Sequence, residues 1–380
     1  MSEIKVSVIC LVYNHEPYLR KCLDGFVNQK CDFEYEVLIH DDASTDNSAS
    51  IIREYEEKYP NIIKPIYQTE NQYSKGVKIT TDYLYPKAQV EYLAWCEGDD
   101  CWTGMDKLQK QVDFLDENRE FSACVHCATM NFVGEDRIRR FPNIASSREF
   151  SLNEIITQGG SIFSTNSLMM RKELRMAMPR CFSADGFGDY QLFIYSAIVG
   201  KVWCMKDNMS VYNYGISGSW TARMNDNLEK REKHCNSEIN MLQKVDEFYG
   251  YKYHEMFDYK IRENEFKILK LRNDKKAIKQ KKYKPFIKGY KKDYLYYKYN
   301  VFMYIVFWII YLVTSQFINV KNILLYFNLF EKIELILFKQ IINLKALEEV
   351  VIFICNTLFK IVYLLLLILV FPLIKKVIKK

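Results

Sequence analysis

The chain has 380 residues, of which 49% are apolar and 26% charged, with a formal net charge of +6. That length excludes a single small domain and fits about two domains plus an appendage, with ample apolar material for a core. The charge is uneven: residues 275–298 hold ten lysines and few acids, whereas the first 120 residues are rich in Asp and Glu, which predicts a basic face for nucleic acid or anionic lipid.

Residues 5–13 (KVSVICLVY) are β-branched and apolar and read as a fully buried strand of a parallel sheet. A turn at 14–17 leads into residues 18–29, where Leu19, Cys22, Leu23, Phe26 and Val27 recur at helical spacing. Residues 35–40 (YEVLIH) form a second buried strand. It ends at Asp41-Asp42-Ala43-Ser44-Thr45-Asp46, a turn able to cap the helix expected over 48–58, which Pro60 stops. Residues 62–67 read as a third strand. After a polar loop with Gly76 and a helical stretch, residues 92–96 (YLAWC) form a short fourth strand that runs into Glu97-Gly98-Asp99-Asp100. This alternation predicts an open, mostly parallel α/β sheet with right-handed crossovers. Such sheets bind ligands beyond the carboxyl ends of their strands. Three polar clusters, Tyr13-Asn14, Asp41-Asp42 and residues 97–100, converge there on one rim.

Residues 106–225 continue the domain. Gly159-Gly160 opens the segment SIFSTNSLMMR, Gly186-Phe187-Gly188-Asp189 precedes a helix over 190–199, and residues 202–205 and 209–214 read as short strands. Residues 226–298 are charged and helical in character, a solvated linker by this reading. Residues 301–318 carry no charge, and 350–374 are apolar apart from Lys360 and a few polar residues, before Lys375, Lys376, Lys379 and Lys380. Tyr294, Tyr296, Tyr297 and Tyr299 flank the first run as at a bilayer interface. Residues 299–380 are therefore expected to be membrane-associated helices, spanning the bilayer or lying in its interface. The lysine run then reads as lipid-facing, and a nucleic-acid partner is set aside because the run adjoins a hydrophobic tail rather than a basic groove. With no leader-like segment before the first strand, the catalytic part is expected at the cytoplasmic face of the cell membrane.

Clustered carboxylates repel one another unless something cationic sits among them. Hard oxygen donors suit Mn²⁺ or Mg²⁺, which bind through one or two carboxylates plus substrate phosphates. Gly98 leaves room for a ligand to approach the backbone; the competing reading of residues 97–100 is a solvated acidic turn. Asp41-Asp42 could also be a phosphate-accepting pair, but a receiver domain is shorter and has no hydrophobic tail. The eleven cysteines show no framework spacing. Cys124 and Cys127, with His126 between them, lack the second ligand pair of a zinc site, so buried thiols are expected.

The runs VSVICLVYNHEPYLRKCLDGFVNQ, YEVLIHDDASTDNSASII and YLAWCEGDDCWTGMDKLQKQVDFL, in this order and spacing, resemble the family 2 glycosyltransferases, nearest to those that build bacterial capsule, exopolysaccharide or O-chains. The resemblance covers residues 1 to about 220. It implies a GT-A fold, inversion, a divalent metal (Mn²⁺ or Mg²⁺) and a nucleoside-diphosphate sugar donor, with UDP the expected nucleotide. It places Val12, Tyr13 and His15 at the base and ribose, and Asp41 or Asp42 as acceptor of the base N–H. Glu97 would face the ribose or metal, Asp99 would ligate the metal with Asp100 as the rival ligand, and Lys107 would lie near the diphosphate. Asp189 resembles the catalytic base, with an N-cap as its alternative role and Asp185 as its nearby rival. The division implied is 1–225 as the transferase domain (1–105 donor half, 106–225 acceptor half), 226–298 as linker and 299–380 as the membrane segment.

Departures exist. Gly104-Met105 and Cys101 replace an Asp-Pro and an aromatic of the family, and Asn213 and Gly215 stand where an Arg and a His are common, although Trp220 still resembles the aromatic of that loop. The processive signature QxxRW is absent, so transfer of one sugar is expected. The acceptor expected is a lipid-linked saccharide. The alternatives are a polyprenyl-phosphate glycosyltransferase and, given Asn213 and Gly215, a catalytically silent nucleotide-sugar-binding protein.

Overall fold

Strand β1 (Val6–Val12) is apolar on both faces and buried almost throughout, as a central parallel strand between two helical layers must be. In the computed structural model, which describes residues 4–182, 189–216, 219 and 227–287, β1 pairs in parallel with β2 (Tyr35–Asp41) and β4 (Tyr92–Trp95), and β2 with β3 (Ile63–Tyr67). Helix α1 (Glu16–Val27) buries Leu19, Cys22, Leu23 and Phe26, one stripe at helical spacing. It shares a core with Ile51 and Ile52 of α2 (Ser48–Lys58) and with one face of the sheet. The helical stretch expected after Gly76 is a single π-helical turn at Thr80–Leu84.

The sheet continues past β4 with β5 (Cys101–Trp102), β6 (Phe121–Phe132), β7 (Ile138–Phe141), β8 (Arg148–Phe150), β9 (Met169–Arg171) and β10 (Lys201–Tyr214). Its order is β3-β2-β1-β4-β9-β6-β10-β5, with β7 beside β6 and β8 beside β10. Only β6–β10 is parallel in this half; β4–β9, β6–β9, β6–β7, β10–β5 and β10–β8 are antiparallel. The expected mostly parallel sheet is thus parallel in its first half and mixed overall. The added strands β5, β7, β8 and β9 are two to four residues long. Short strands of this kind return without the long crossover that parallel neighbours need. The two short strands expected at 202–214 are one strand, β10, whose register shifts between Met205 and Asn208 and again before Ser210. These bulges break the alternation that made it read as two pieces.

Helices α3 (Lys107–Glu117), α4 (Leu152–Gln158), α5 (Lys172–Met176) and α6 (Asp189–Val199) cover this half. Ser151 and Glu154 close a capping box on α4. Helices α7 (Leu228–Phe248) and α8 (His254–Leu271) are not a solvated linker. They bury Met241, Leu242, Val245, Phe257 and Ile261 in the core that contains Leu93, Ile155 and Phe193. The many charged residues around that narrow stripe dilute its signal in the sequence. Cys124 and Cys127 lie three residues apart on β6, hence on opposite faces, and the cysteines among the described residues are free thiols. Segment 299–380, Asp185 and Trp220 lie outside the described residues. Among the described residues no helix is long and apolar enough to cross a membrane.

Candidate active site

The carboxyl ends of β1, β2 and β4 meet in one rim, and short hydrogen bonds weld them together. Asn14 follows β1 with φ 58°, and Ala43 follows β2 with φ 59°, left-handed conformations that turn both chains sharply. The Thr45 N–H donates to Asn14 Oδ1 (2.7 Å), the Asn14 N–H to Ser44 Oγ (3.0 Å), the His15 N–H to Ser48 Oγ (3.0 Å) and the Glu16 N–H to Asp46 Oδ2 (3.0 Å). Tyr13 projects from this seam, 44% exposed. Val12 is buried beneath it and lends its carbonyl to the Asp42 N–H (2.9 Å).

The acidic turn after β4 packs against this seam. The Gly98 N–H donates to Leu11 O (3.0 Å). A Cβ at Gly98 would fall 2.8 Å from Val12 Cγ2 and 2.9 Å from His15 Nδ1, so only glycine lets the turn approach so closely. His15 Nε2 lies 3.9 Å from Asp99 Oδ2. Burial lowers the His15 pKa while Asp99, Asp46 and Asp41 oppose it. The thiols of Cys22 and Cys96 donate to Glu97 O at 3.5 and 3.7 Å.

Asp189 closes the cleft from the other half. It is the first residue of α6; its Oδ1 accepts the Tyr190 N–H (2.7 Å) and its Oδ2 accepts Thr165 Oγ1 (3.1 Å). Both oxygens are thus held at the start of the helix, by its own backbone and by the 3₁₀ turn at Thr165. Burial raises its carboxyl, and those hydrogen bonds moderate the rise. Glu97 is open to solvent at its surface, yet the cleft walls desolvate its carboxyl. With like charge from Asp99 and then Asp189, this pushes the group up to about 8. Glu97 thus responds to Asp99 beside it and to Asp189 from the other half.

Three sequence-based assignments change. Asp42 does not face a ligand: its oxygens accept the Gln72 N–H (2.7 Å) and Tyr73 N–H (3.1 Å), anchoring the loop after β3. Asp41 is the member of the pair with a buried oxygen, Oδ1, that no protein group fills. Asp100 does not project as a metal ligand. It is buried, its Oδ2 accepts Asn166 Nδ2 (2.9 Å) and its Oδ1 accepts the Asn213 N–H (2.9 Å), and burial, then Asp99, holds it well above the usual carboxylate range. Lys107 has no exposed surface. Its Nζ donates to Gln111 Oε1 (2.7 Å) over the Trp102 ring, and burial lowers its ammonium to about 7; it cannot reach a diphosphate. In each case tertiary partners hold the side chain: the Gln72–Tyr73 backbone for Asp42, Asn166 and Asn213 for Asp100, and Gln111 for Lys107.

Thr165 and Asn166 were not singled out by sequence. They sit in a 3₁₀ turn, Thr165–Ser167, that no periodicity marks, and they act on Asp189 and Asp100 across the fold. Among the described residues, by contrast, nothing donates a hydrogen bond to the carboxylates of Glu97 and Asp99, and His15 lies 3.9 Å from Asp99. Hard oxygen donors left without protein partners fit a divalent cation. Among the described residues no group of three His, Cys, Asp or Glu forms a ready cage, so such an ion would complete its shell with ligand oxygens.

Residues 7–176 match the family described as "Glycosyl transferase family 2". This stretch therefore resembles a glycosyltransferase domain, on a GT-A-like α/β sheet with flanking helices. It is similar to "Uncharacterized protein Rv1520" of Mycobacterium tuberculosis, 33% identical over 227 residues, which cover 58% of this chain and 62% of the relative. It is also similar to the poly(ribitol-phosphate) beta-glucosyltransferase of Bacillus spizizenii, 35% identical over 117 residues, 30% of this chain and 18% of the relative. Among solved structures, S. aureus TarS 1–349 in complex with UDP aligns at 19% identity and a TM-score of 0.49, over 70% of this chain and 72% of that one. The chain thus spans less than two thirds of the length of the mycobacterial relative.

Proposed function

From a glycosyltransferase domain at residues 7–176, we propose that the protein transfers one sugar, with inversion, from a nucleoside-diphosphate sugar to a hydroxyl of a lipid-linked saccharide. The nucleotide proposed is UDP and the setting bacterial surface polysaccharide biosynthesis. The observation that carries this reading is the gathering of acids around one turn: Glu97 is raised by Asp99 and by Asp189 from the other half, and Asp99 and Asp41 both act on His15.

The unfilled Asp41 Oδ1 accepts the N–H of the base, since a buried acceptor without a protein partner is what a ligand donor satisfies. Tyr13 offers an exposed ring beside it, and His15 lies toward the ribose. Asp99 would hold a divalent cation, Mn²⁺ or Mg²⁺, with Glu97 beside it. When bound, that ion would supply positive charge against the departing diphosphate. The acceptor oxygen bonds to the anomeric carbon as the bond to the diphosphate oxygen breaks, and its proton passes to Asp189. A carboxyl raised by burial is the stronger base for that transfer. Thr165 and the Tyr190 N–H hold the two oxygens of Asp189 in place.

The lysine-rich run and the hydrophobic segment 299–380 support attachment at the cytoplasmic membrane face, where a lipid-linked acceptor is presented. The relative named for poly(ribitol-phosphate) glucosylation supports the polysaccharide setting. The test is a thermal-shift screen of the full chain with nucleoside diphosphates, with and without Mn²⁺. A Mn²⁺-dependent rise in the midpoint with one nucleotide is expected, because a ligand that binds only the folded state stabilises it by mass action. No shift with any of them sinks the donor-site reading.

A further inference from the structure

The acidic turn 97–100 is held from two sides. On one flank it rests on β1 through the bond from the Gly98 N–H to Leu11 O. On the other flank a single residue of β10, Asn213, grips it twice. The Asn213 N–H donates to Asp100 Oδ1 (2.9 Å), and the Asn213 side-chain Nδ2 donates to Asp99 O (2.7 Å). The remaining polar atom of that side chain, Oδ1, accepts Asn131 Nδ2 from the neighbouring strand (2.8 Å), and Asn131 and Asn213 are register partners in the β6–β10 ladder. The far side of Asp100 is closed by Asn166, whose own Oδ1 accepts Ser210 Oγ (2.7 Å) and whose Nδ2 also reaches Val211 O (3.0 Å).

Asparagine meets a requirement here that few residues can. The grip needs one side-chain donor for the Asp99 carbonyl and one acceptor for Asn131, and a carboxamide supplies both in one rigid plane. An aspartate would lose the donor and set a charge beside Asp99 and Asp100. A longer side chain would not fit between a backbone carbonyl and a register partner at these distances.

We propose that Asn213 is a positioning residue for the donor site: it fixes the backbone at Asp99 so that the Asp99 carboxylate points into the cleft while Asp100 is locked away from it, and Asn131 orients Asn213. This rests on the donor-site reading above. The consequence is a relay from the acceptor half to the donor half. Residues of β6 and β10 set the geometry of an acid that follows β4, without touching the ligand themselves. Outer-shell partners of metal-holding groups characteristically act in this way.

The experiment measures Mn²⁺-dependent binding of UDP, or of whichever nucleoside diphosphate the thermal screen selects, by titration calorimetry on the full chain. Wild type, Asn213→Ala, Asn131→Ala and the double variant are compared, with the melting midpoint as the folding control. Asn213→Ala is expected to weaken Mn²⁺-dependent binding by roughly 10- to 100-fold, the range typical of outer-shell partners. Asn131→Ala should weaken it about threefold alone and add nothing in the Asn213→Ala background, because it acts only through Asn213. The Asn131 variant, at the far end of the relay, keeps the test open if Asn213→Ala does not fold. Binding by folded Asn213→Ala that equals wild type overturns the assignment, as does an Asn131 effect that adds in full to that of Asn213. If the wild type binds no nucleoside diphosphate with Mn²⁺, the donor-site reading falls first and this assignment with it.

Discussion

The two halves of the sheet obey different rules. The β3-β2-β1-β4 half is parallel, amphipathic helices join β1 to β2 and β2 to β3, and β1, β2 and β4 are buried on both faces. The half built on β9, β6 and β10 is mixed, with short return strands and a bulged central strand. In the parallel half, ligand-facing residues gather where strands stop, because the crossover geometry leaves every carboxyl end on one edge. In the mixed half, strand ends face both ways. Functional side chains there come from a helix start (Asp189), a 3₁₀ turn (Thr165) and the last positions but one of β6 and β10 (Asn131, Asn213). The comparison teaches that the donor side is built by topology and the acceptor side by individual tertiary contacts.

The widest test of that contrast pairs one acid from each half. Asp99→Ala should cost at least about a thousandfold in turnover and also remove Mn²⁺-dependent nucleotide binding. Asp189→Asn should cost roughly 10²–10⁴-fold in turnover, the range of a general base, while donor affinity stays within about twofold, since its partner is the acceptor. Steady-state kinetics beside direct binding separates the two. Equal loss of donor affinity in both variants would erase the division of labour.

A narrower test lies within the donor half, between two adjacent residues. Asp41→Asn should raise the donor KM by about tenfold, because a carboxylate acceptor for an N–H becomes a weaker neutral one. Asp42→Ala should act on stability, costing ~1–3 kcal/mol by leaving the Gln72 and Tyr73 N–H groups without their partner. Kinetics and denaturant unfolding of both variants would decide. A stability loss confined to Asp41→Asn would reverse the assignment.

The smallest expected effect is on pH. Asp189 must be ionised to accept a proton, and its folded carboxyl lies above the ordinary range because of burial. The acid limb of kcat should therefore fall above the ordinary Asp value of about 3.9. The Thr165→Val variant should move that limb further upward, since the threonine hydroxyl favours the charged form. The linked stability has the matching sign. A carboxyl raised on folding contributes stability that is present at low pH and is lost as pH rises through the folded value. A limb that Thr165→Val leaves in place would show that another group titrates there.

Much of the donor half was legible in the sequence. Residues 5–13, 35–40 and 92–96 predicted β1, β2 and β4 to within a residue or two, because strands buried on both faces need unbroken apolar runs. The burial of α7 and α8 was not legible. Their core stripe of Met241, Leu242, Val245, Phe257 and Ile261 is spread thinly among lysines and glutamates. Nor did the spacing reveal that β10 is continuous, since its bulges at Asn208 and Ser210 interrupt the alternation by which a strand is recognised.

By itself, the sequence determined the parallel half, the family resemblance, and the clusters Asp41-Asp42 and residues 97–100 at strand ends. It did so because local hydrophobic patterning and turn chemistry are properties of consecutive residues. Only the tertiary structure decided which acid of each cluster is taken up by the protein. Asp42 is held by the Gln72–Tyr73 backbone and Asp100 by Asn166 and Asn213, while a buried Asp41 oxygen is left without a partner. Asp42, Asp99 and Asp100 lie in turns beyond the strand ends, where no strand alternation fixes a side chain's direction. Which acid is drawn into the protein is set by partners 30 to 113 positions away, and no local pattern in the chain encodes them.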